Sequence, residues 1–89
     1  MPKMVITHPV ADVDNWLRFK AERAEAAAGL GGTNVVDHVA ADGSNMTALS
    51  FDVADVDAVM ATLGSPPPEL AAAMEEHGVL PPMAIYVEG

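Results

Sequence analysis

The chain of 89 residues contains no cysteine, so neither a disulfide nor a thiolate metal site can stabilise it. Only four side chains are aromatic, whereas 16 residues are alanine. Because an alanine side chain buries little apolar surface, we expect a thin core even though 51% of the residues are hydrophobic. The length predicts one domain, residues 1–89, and a core this thin favours stabilisation by a second copy of the chain.

Basic residues are also scarce, with four Lys and Arg against 13 Asp and Glu and a net charge of −9. Repulsion of phosphate groups argues against nucleic acid or an anionic membrane surface as a partner. Arg18, Lys20 and Arg23 lie close together, and this pattern favours a solvated helix face over an anion-steering patch. Because no apolar run is long enough to span a membrane and no basic-then-apolar leader is seen, we predict a cytoplasmic protein.

The patterns that are present predict strands and helices in a defined order. The predicted strands are residues 3–8, 33–40, 46–53 and 83–87. The predicted helices are residues 13–28, 56–63 and 66–77. Asp12, Asp55 and Ser65 are the expected N-caps, and Asp42-Gly43 is the turn of a hairpin between the second and third strands.

The first predicted helix carries an apolar stripe that we expect to face the sheet. The stripe consists of Val13, Leu17, Ala21, Ala24 and Ala28, with Trp16 beside it. This phase places Arg23 on the outer surface with Glu22 and Glu25. Alternation in the first strand puts Met4, Ile6 and His8 on one face.

The order β-α-β-β-α-β predicts an α+β, ferredoxin-like sandwich, in which helices cover one face of a four-stranded antiparallel sheet. The other face, which includes Val5, Thr7, Ala48 and Ser50, is left open. We expect two such sheets to pack face to face in a homodimer.

These features resemble the dimeric α/β-barrel superfamily, which includes antibiotic-biosynthesis-type monooxygenases and small polyketide cyclases. The resemblance rests on the strand order, the segments Leu49–Val53 and Asp55–Val59, and the spacing of Ser65-Pro, Met74 and Gly78-Val79. It implies a dimeric barrel with a ligand pocket between each sheet and its own helices. Activities in the superfamily range over cofactor-free oxygenation, cyclisation, isomerisation and haem chemistry, and no motif here selects one of them.

Histidine and tyrosine side chains are the candidates for catalysis. His8 would point into the pocket if its face of the strand meets the helices, and it would be a surface side chain otherwise. His38 would either face His8 across the same layer or be exposed on an edge strand. Tyr86 could donate a hydrogen bond to an oxyanion or simply pack with its hydroxyl at the rim.

A second set of side chains could line the pocket. The predicted ligand-binding residues are Trp16, Phe19, Phe51, Met74 and His77. Core or dimer packing is the alternative for the aromatic residues, gap-filling for the methionine, and a helix-dipole role for His77. Asp37 and Asp52 lie in strands, and we expect them to be solvent-exposed rather than to act as buried bases.

We predict neither a metal nor a cofactor. No two potential ligands lie four residues apart on one helix face, and a site built from His8, His38 and Asp52 would need a special strand geometry. The favoured function is a cofactor-independent monooxygenase, cyclase or isomerase that acts on a small apolar, aromatic or polyketide-like molecule through histidine acid–base chemistry. The alternative is a non-catalytic module that binds a small molecule or assembles with other proteins.

Overall fold

The structure is a computed structural model that describes residues 1–89. Its strands are β1 (Lys3–Pro9), β2 (Thr33–Val39), β3 (Met46–Asp52) and β4 (Ala84–Val87). Its helices are α1 (Val13–Leu17), α2 (Lys20–Gly29), α3 (Val56–Gly64) and α4 (Pro68–Glu76). The predicted elements are therefore present, except that the first helix is divided in two and the last begins at Pro68, without a cap from Ser65.

The four strands form one antiparallel sheet in the order β2-β3-β1-β4. In the register of β1 and β3, Met4 lies opposite Phe51 and His8 lies opposite Thr47. The helices lie over this face, whose buried side chains include Met4, Phe51 and His8, and no helix covers the other face. The predicted ferredoxin-like α+β fold is confirmed.

Local signals explain where the helices begin and end. The carboxylate of Asp12 accepts a hydrogen bond from the Asn15 backbone N–H, and that of Asp55 accepts one from Ala58. Both predicted caps are thus confirmed. At the end of α4, Gly78 takes a φ of +77°, which glycine adopts without strain, and the next N–H returns to the carbonyl of Met74.

The predicted phase of the first helical segment is wrong. Trp16, Arg23 and Ala27 are the buried residues of α1 and α2, whereas Ala21 and Ala28 are exposed. Trp16 and Ala27 are three helical turns apart, and Arg23 lies between them on the same side. Since an indole buries far more apolar area than an alanine, Trp16 decides which side faces the sheet. Because Arg23 lies on the same side as Trp16, it is buried as well.

The apolar core occupies one end of the sheet. Its buried members are Met4, Ile6, Phe51, Val53 and Val59. Beyond Ile6 the same face of β1 continues to His8, which lies near the buried side chains of Thr47 and Trp16. None of the four helices has the length and hydropathy that crossing a bilayer would require.

Candidate functional site

A cavity of about 670 Å³ lies between the helix-facing side of the sheet and the four helices. Fourteen of the nineteen residues that line it are hydrophobic. Ile6, Leu49 and Phe51 form its floor on the sheet, and Leu63 and Met74 belong to the helices above. A volume of this size suits a small organic ligand.

His8 stands in the wall of this cavity at the end of β1. It is only 5% exposed, and its Nδ1 lies 3.1 Å from the carbonyl oxygen of Pro9. The hydroxyl of Thr47 lies 3.4 Å from the same nitrogen, but it donates to the His8 carbonyl at 2.9 Å. Nδ1 therefore carries the proton and donates it to Pro9, which leaves Nε2 as an unprotonated acceptor.

Burial lowers the pKa of His8 below its ordinary value, and the nearby charge of Arg23 lowers it further, against an opposing effect of the Pro9 hydrogen bond. The ring is consequently neutral at pH 7 and available to accept a proton. Its centroid lies 6.1 Å from that of Trp16, with the two rings nearly perpendicular.

Arg23 is the cation of the cavity, and the prediction that it lies on a solvated surface is wrong. It is 8% exposed, and its Nε donates to Asp37 at 2.8 Å. Its guanidinium carbon lies 3.9 Å from the centroid of the Trp16 ring, which is a cation–π contact. The predicted exposure of Asp37 is wrong for the same reason, because its side chain is 7% exposed and paired with Arg23.

Three buried nitrogens in this cluster lack an acceptor. They are Nη1 and Nη2 of Arg23 and Nε1 of Trp16. The contact between the guanidinium and the indole ring supplies no hydrogen-bond acceptor, so these N–H groups still need partners. Buried polar groups are almost always hydrogen-bonded, and unpaired donors in a cavity wall indicate a place for a ligand or ordered water.

His77 also lines the cavity, at the C-terminal end of α4. It stacks on Phe19 with ring centroids 4.2 Å apart, and its Nε2 lies 3.4 Å from a carboxylate oxygen of Glu22. Backbone hydrogen bonds from Ala11 to Gly78 and from Leu80 to Pro9 tie this end of α4 to the end of β1. They hold His77 in the same cavity as His8.

The structure divides the predicted residues between two faces of the sheet. Trp16, Phe51, Met74 and His77 line the cavity with His8, and Phe19 touches it only through His77.

His38 and Tyr86 lie on the open face instead, where His38 Nε2 is 3.0 Å from the hydroxyl of Ser50 and Tyr86 is 58% exposed. The hypothesis that these two side chains act in the same cavity as His8 is therefore not supported by their positions.

Asp52 also belongs to the open face, where it is partly exposed. A hydrogen bond from Asn34 and the nearby Lys3 ammonium lower the pKa of its carboxyl below the usual range. The three residues considered for a metal do not converge, because His8 lies on the other face from His38 and Asp52. No group of three potential metal ligands occurs in the structure.

Arg23 is the residue that the sequence analysis missed. Arg23 is charged and lies close to the basic residues Arg18 and Lys20, and such a cluster usually forms a solvent-exposed helix face. The signal that could have found it is its spacing of seven residues from Trp16, which puts both side chains on one helix face. An aspartate in the middle of the apolar strand β2 was a second signal.

No protein-family model matches the chain, and no curated protein sequence matches it. Solved structures do. A provisionally named antibiotic biosynthesis monooxygenase from Bordetella bronchiseptica has a TM-score of 0.67 at 16% identity, over 99% of this chain and 94% of that one. A similarly named protein from Nitrosomonas europaea has a TM-score of 0.61 at 15% identity, over 100% and 97%. A third, from Deinococcus radiodurans, has a TM-score of 0.61 at 14% identity, over 100% and 93%.

At these identities the likeness establishes the fold alone. The chain has the ferredoxin-like fold of proteins named as antibiotic biosynthesis monooxygenases, as the resemblance in its sequence predicted.

Proposed function

We propose that the chain is a small cofactor-independent enzyme of the monooxygenase type, which binds an apolar, aromatic or polyketide-like molecule in its cavity and uses His8 as the general base. The observation that carries this proposal is a buried histidine in the wall of a cavity of about 670 Å³, with its Nδ1 3.1 Å from a backbone carbonyl oxygen, an arrangement that leaves Nε2 as the acceptor. The fold shared with antibiotic biosynthesis monooxygenases adds support of a weaker kind, by analogy.

The position of His8 suits proton abstraction. Its Nδ1–H is held by the Pro9 carbonyl, so the ring keeps one orientation and one tautomer. Nε2 then accepts a proton from an acidic C–H or O–H group of the ligand. The lowered pKa weakens the base but keeps it in the active, neutral form.

Oxygenation without a cofactor requires that the substrate supply the electrons. A ketone with an activated methylene group loses a proton to His8 and becomes an enolate, which O2 oxidises. The methylene becomes a carbonyl, one oxygen atom enters the product, and the other leaves as water, so that R–CH2–R′ and O2 give R–CO–R′ and H2O. A cyclase or an isomerase would begin from the same deprotonation but would consume no O2.

The test is oxygen consumption and product formation with anthrone, an aromatic ketone with an activated methylene group, against the uncatalysed background. We expect His8→Gln to lower the rate by about 100-fold or more, the usual contribution of a general base. The matched control is His38→Gln, which makes the same chemical change on the other face of the sheet. Turnover that persists in folded His8→Gln would contradict the proposal.

A non-catalytic binding protein is the second candidate. This candidate is favoured because the partner of His8 Nδ1 is a backbone carbonyl oxygen. A carboxylate in that place would have made the histidine a stronger base. In that case the same ligand would raise the melting temperature of the protein and be recovered unchanged.

We also propose that the active form is a homodimer joined through the open face of the sheet. Val36 and Tyr86 are 47% and 58% exposed on that face, and a second sheet would cover them. Sedimentation at micromolar concentration tests this. Monomers that are as resistant to heat as the protein at higher concentration would refute the proposal.

A further inference from the structure

The cavity contains a group that the proposed reaction has not yet used. Arg23 is the one Lys or Arg side chain among its lining residues, and Asp37 engages only its Nε. Together with Trp16 it presents three buried nitrogens without an acceptor.

We propose that the natural ligand carries an anionic or ionisable oxygen, as in a carboxylate, phenolate or enolate, and that Arg23 and Trp16 hold this oxygen. The proposal names the substrate class for the cavity of the proposed function and rests on that cavity being the ligand site. It does not require that His8 be catalytic.

The arrangement of the cluster favours an oxygen over a neutral apolar group. The guanidinium carbon lies 3.9 Å from the centre of the indole ring, so the free N–H groups of both side chains are close together. A buried N–H donor without an acceptor is energetically unfavourable, and a hydrogen bond to a ligand oxygen would remove this cost. Both Arg23 and Trp16 belong to the lining of the cavity, so a ligand in the cavity lies beside these two side chains.

None of the carboxylates near the cavity accepts a hydrogen bond from the free N–H groups of Arg23 and Trp16. Asp37 already accepts from Nε of Arg23 on the sheet side. Glu22 is turned outward, with its side chain 60% exposed, and lies next to His77. Glu25 is exposed as well. The interior of the cavity therefore has donors in excess, whereas the acidic side chains lie at its rim.

His8 and Arg23 are complementary in this arrangement. His8 offers an acceptor at Nε2, and Arg23 and Trp16 offer donors. A ligand whose proton is removed by His8 develops negative charge on an oxygen, and donors fixed in a buried site stabilise such charge. Tyr86 was the predicted source of this stabilisation, but its exposed position on the other face leaves the role to Arg23.

The test compares two probes of matched shape, 2-naphthoate and 2-naphthamide, by calorimetric titration at about 0.15 M salt, where the repulsion from distant acidic residues is screened. We expect naphthoate to bind about ten- to a hundredfold more tightly, since hydrogen bonds to a charged acceptor are the stronger kind. Equal affinities, tighter binding of the amide, or no binding of naphthoate at millimolar concentration would overturn the proposal.

A spectroscopic readout isolates the role of the indole. Trp16 is the single tryptophan of the chain, so its indole N–H gives one unambiguous proton–nitrogen NMR peak. We expect naphthoate to shift this peak downfield as a hydrogen bond forms, whereas naphthamide moves it less. A peak that stays in place while naphthoate binds would exclude Trp16 from the site.

Variants provide the final comparison. The double variant Arg23→Met with Asp37→Leu removes the donors and their counter-charge together, so that no unpaired charge remains inside. It should lose the preference for naphthoate to within about threefold while the chain stays folded. The matched control is Arg18→Gln, which removes a positive charge from an exposed position nearby and should keep the preference. A double variant that keeps the full preference would refute the assignment. Neither probe is turned over, so failure here is separable from failure of the proposed enzyme activity.

Discussion

Replacing Asp37 by leucine should strongly destabilise the folded chain, because it leaves the Arg23 guanidinium buried without a counter-charge. The pair is joined at 2.8 Å, and both side chains are more than nine-tenths buried. Removing one partner of such a pair typically costs about 3–5 kcal/mol. In a domain of this size a loss of about 3 kcal/mol lowers the melting temperature by roughly 12–24 °C. Since total stability is only about 5–15 kcal/mol, the loss is easily measured.

Urea unfolding followed by the fluorescence of Trp16 is the assay, and a double-mutant cycle with Arg23→Met gives the coupling between the two side chains. The double variant should recover most of the loss, because a well-packed apolar pair replaces a buried ion pair at little cost. Lys3→Met is the control. It breaks the more exposed pair with Asp52 and should cost less than about 1 kcal/mol. A cost below about 1 kcal/mol for Asp37→Leu, or a double variant as unstable as the single one, would refute the reasoning.

Two further predictions concern His8 and Gly32. Because the pKa of His8 in the folded chain lies below 6.5, the unfolded chain binds more protons between the two values, and stability should rise with pH through that window. Melting temperatures measured between pH 4.5 and 7.5 should show this rise in the native chain and a smaller one in His8→Gln; equal slopes would contradict the assignment. A Cβ added to Gly32 would lie 2.9 Å from the Ala27 carbonyl oxygen and 3.0 Å from a ring carbon of Phe51, so Gly32→Ala should lower the free energy of unfolding by about 1–3 kcal/mol. Gly29→Ala, which meets no atom within 4 Å, is the control in the same urea titration, and equal stabilities of the two variants would contradict this prediction.

The fold was predictable because its signals are local. Alternation in β1 assigns Met4, Ile6 and His8 to one face, and the structure buries all three. The caps at Asp12 and Asp55 define where α1 and α3 begin. Such signals depend on neighbouring residues, so they can be recognised without knowing the tertiary structure.

The candidate site was only partly predictable because its central interaction is not local. Arg23 is buried through a carboxylate fourteen residues away, on a strand. A charged side chain on a helix is usually exposed, and nothing within one turn of Arg23 indicates the opposite. The face occupied by His38 depends on the register of β2 with β3, which shifts between Thr33 and Val36. A shift of one residue exchanges the two faces of a strand, so its position could not be decided from alternation alone.

The alanine content that weakens the core also accounts for the cavity. Ala26, Ala27 and Ala73 line it from α2 and α4, where longer side chains would occupy part of its volume. The buried apolar cluster is correspondingly confined to the end of the sheet around Met4 and Phe51. At the other end, the buried polar side chains His8 and Arg23 lie beside the buried indole of Trp16. The protein thus combines a small core with a mostly apolar cavity that holds a few buried polar groups, and a ligand oxygen bound at Arg23 would stabilise the folded chain.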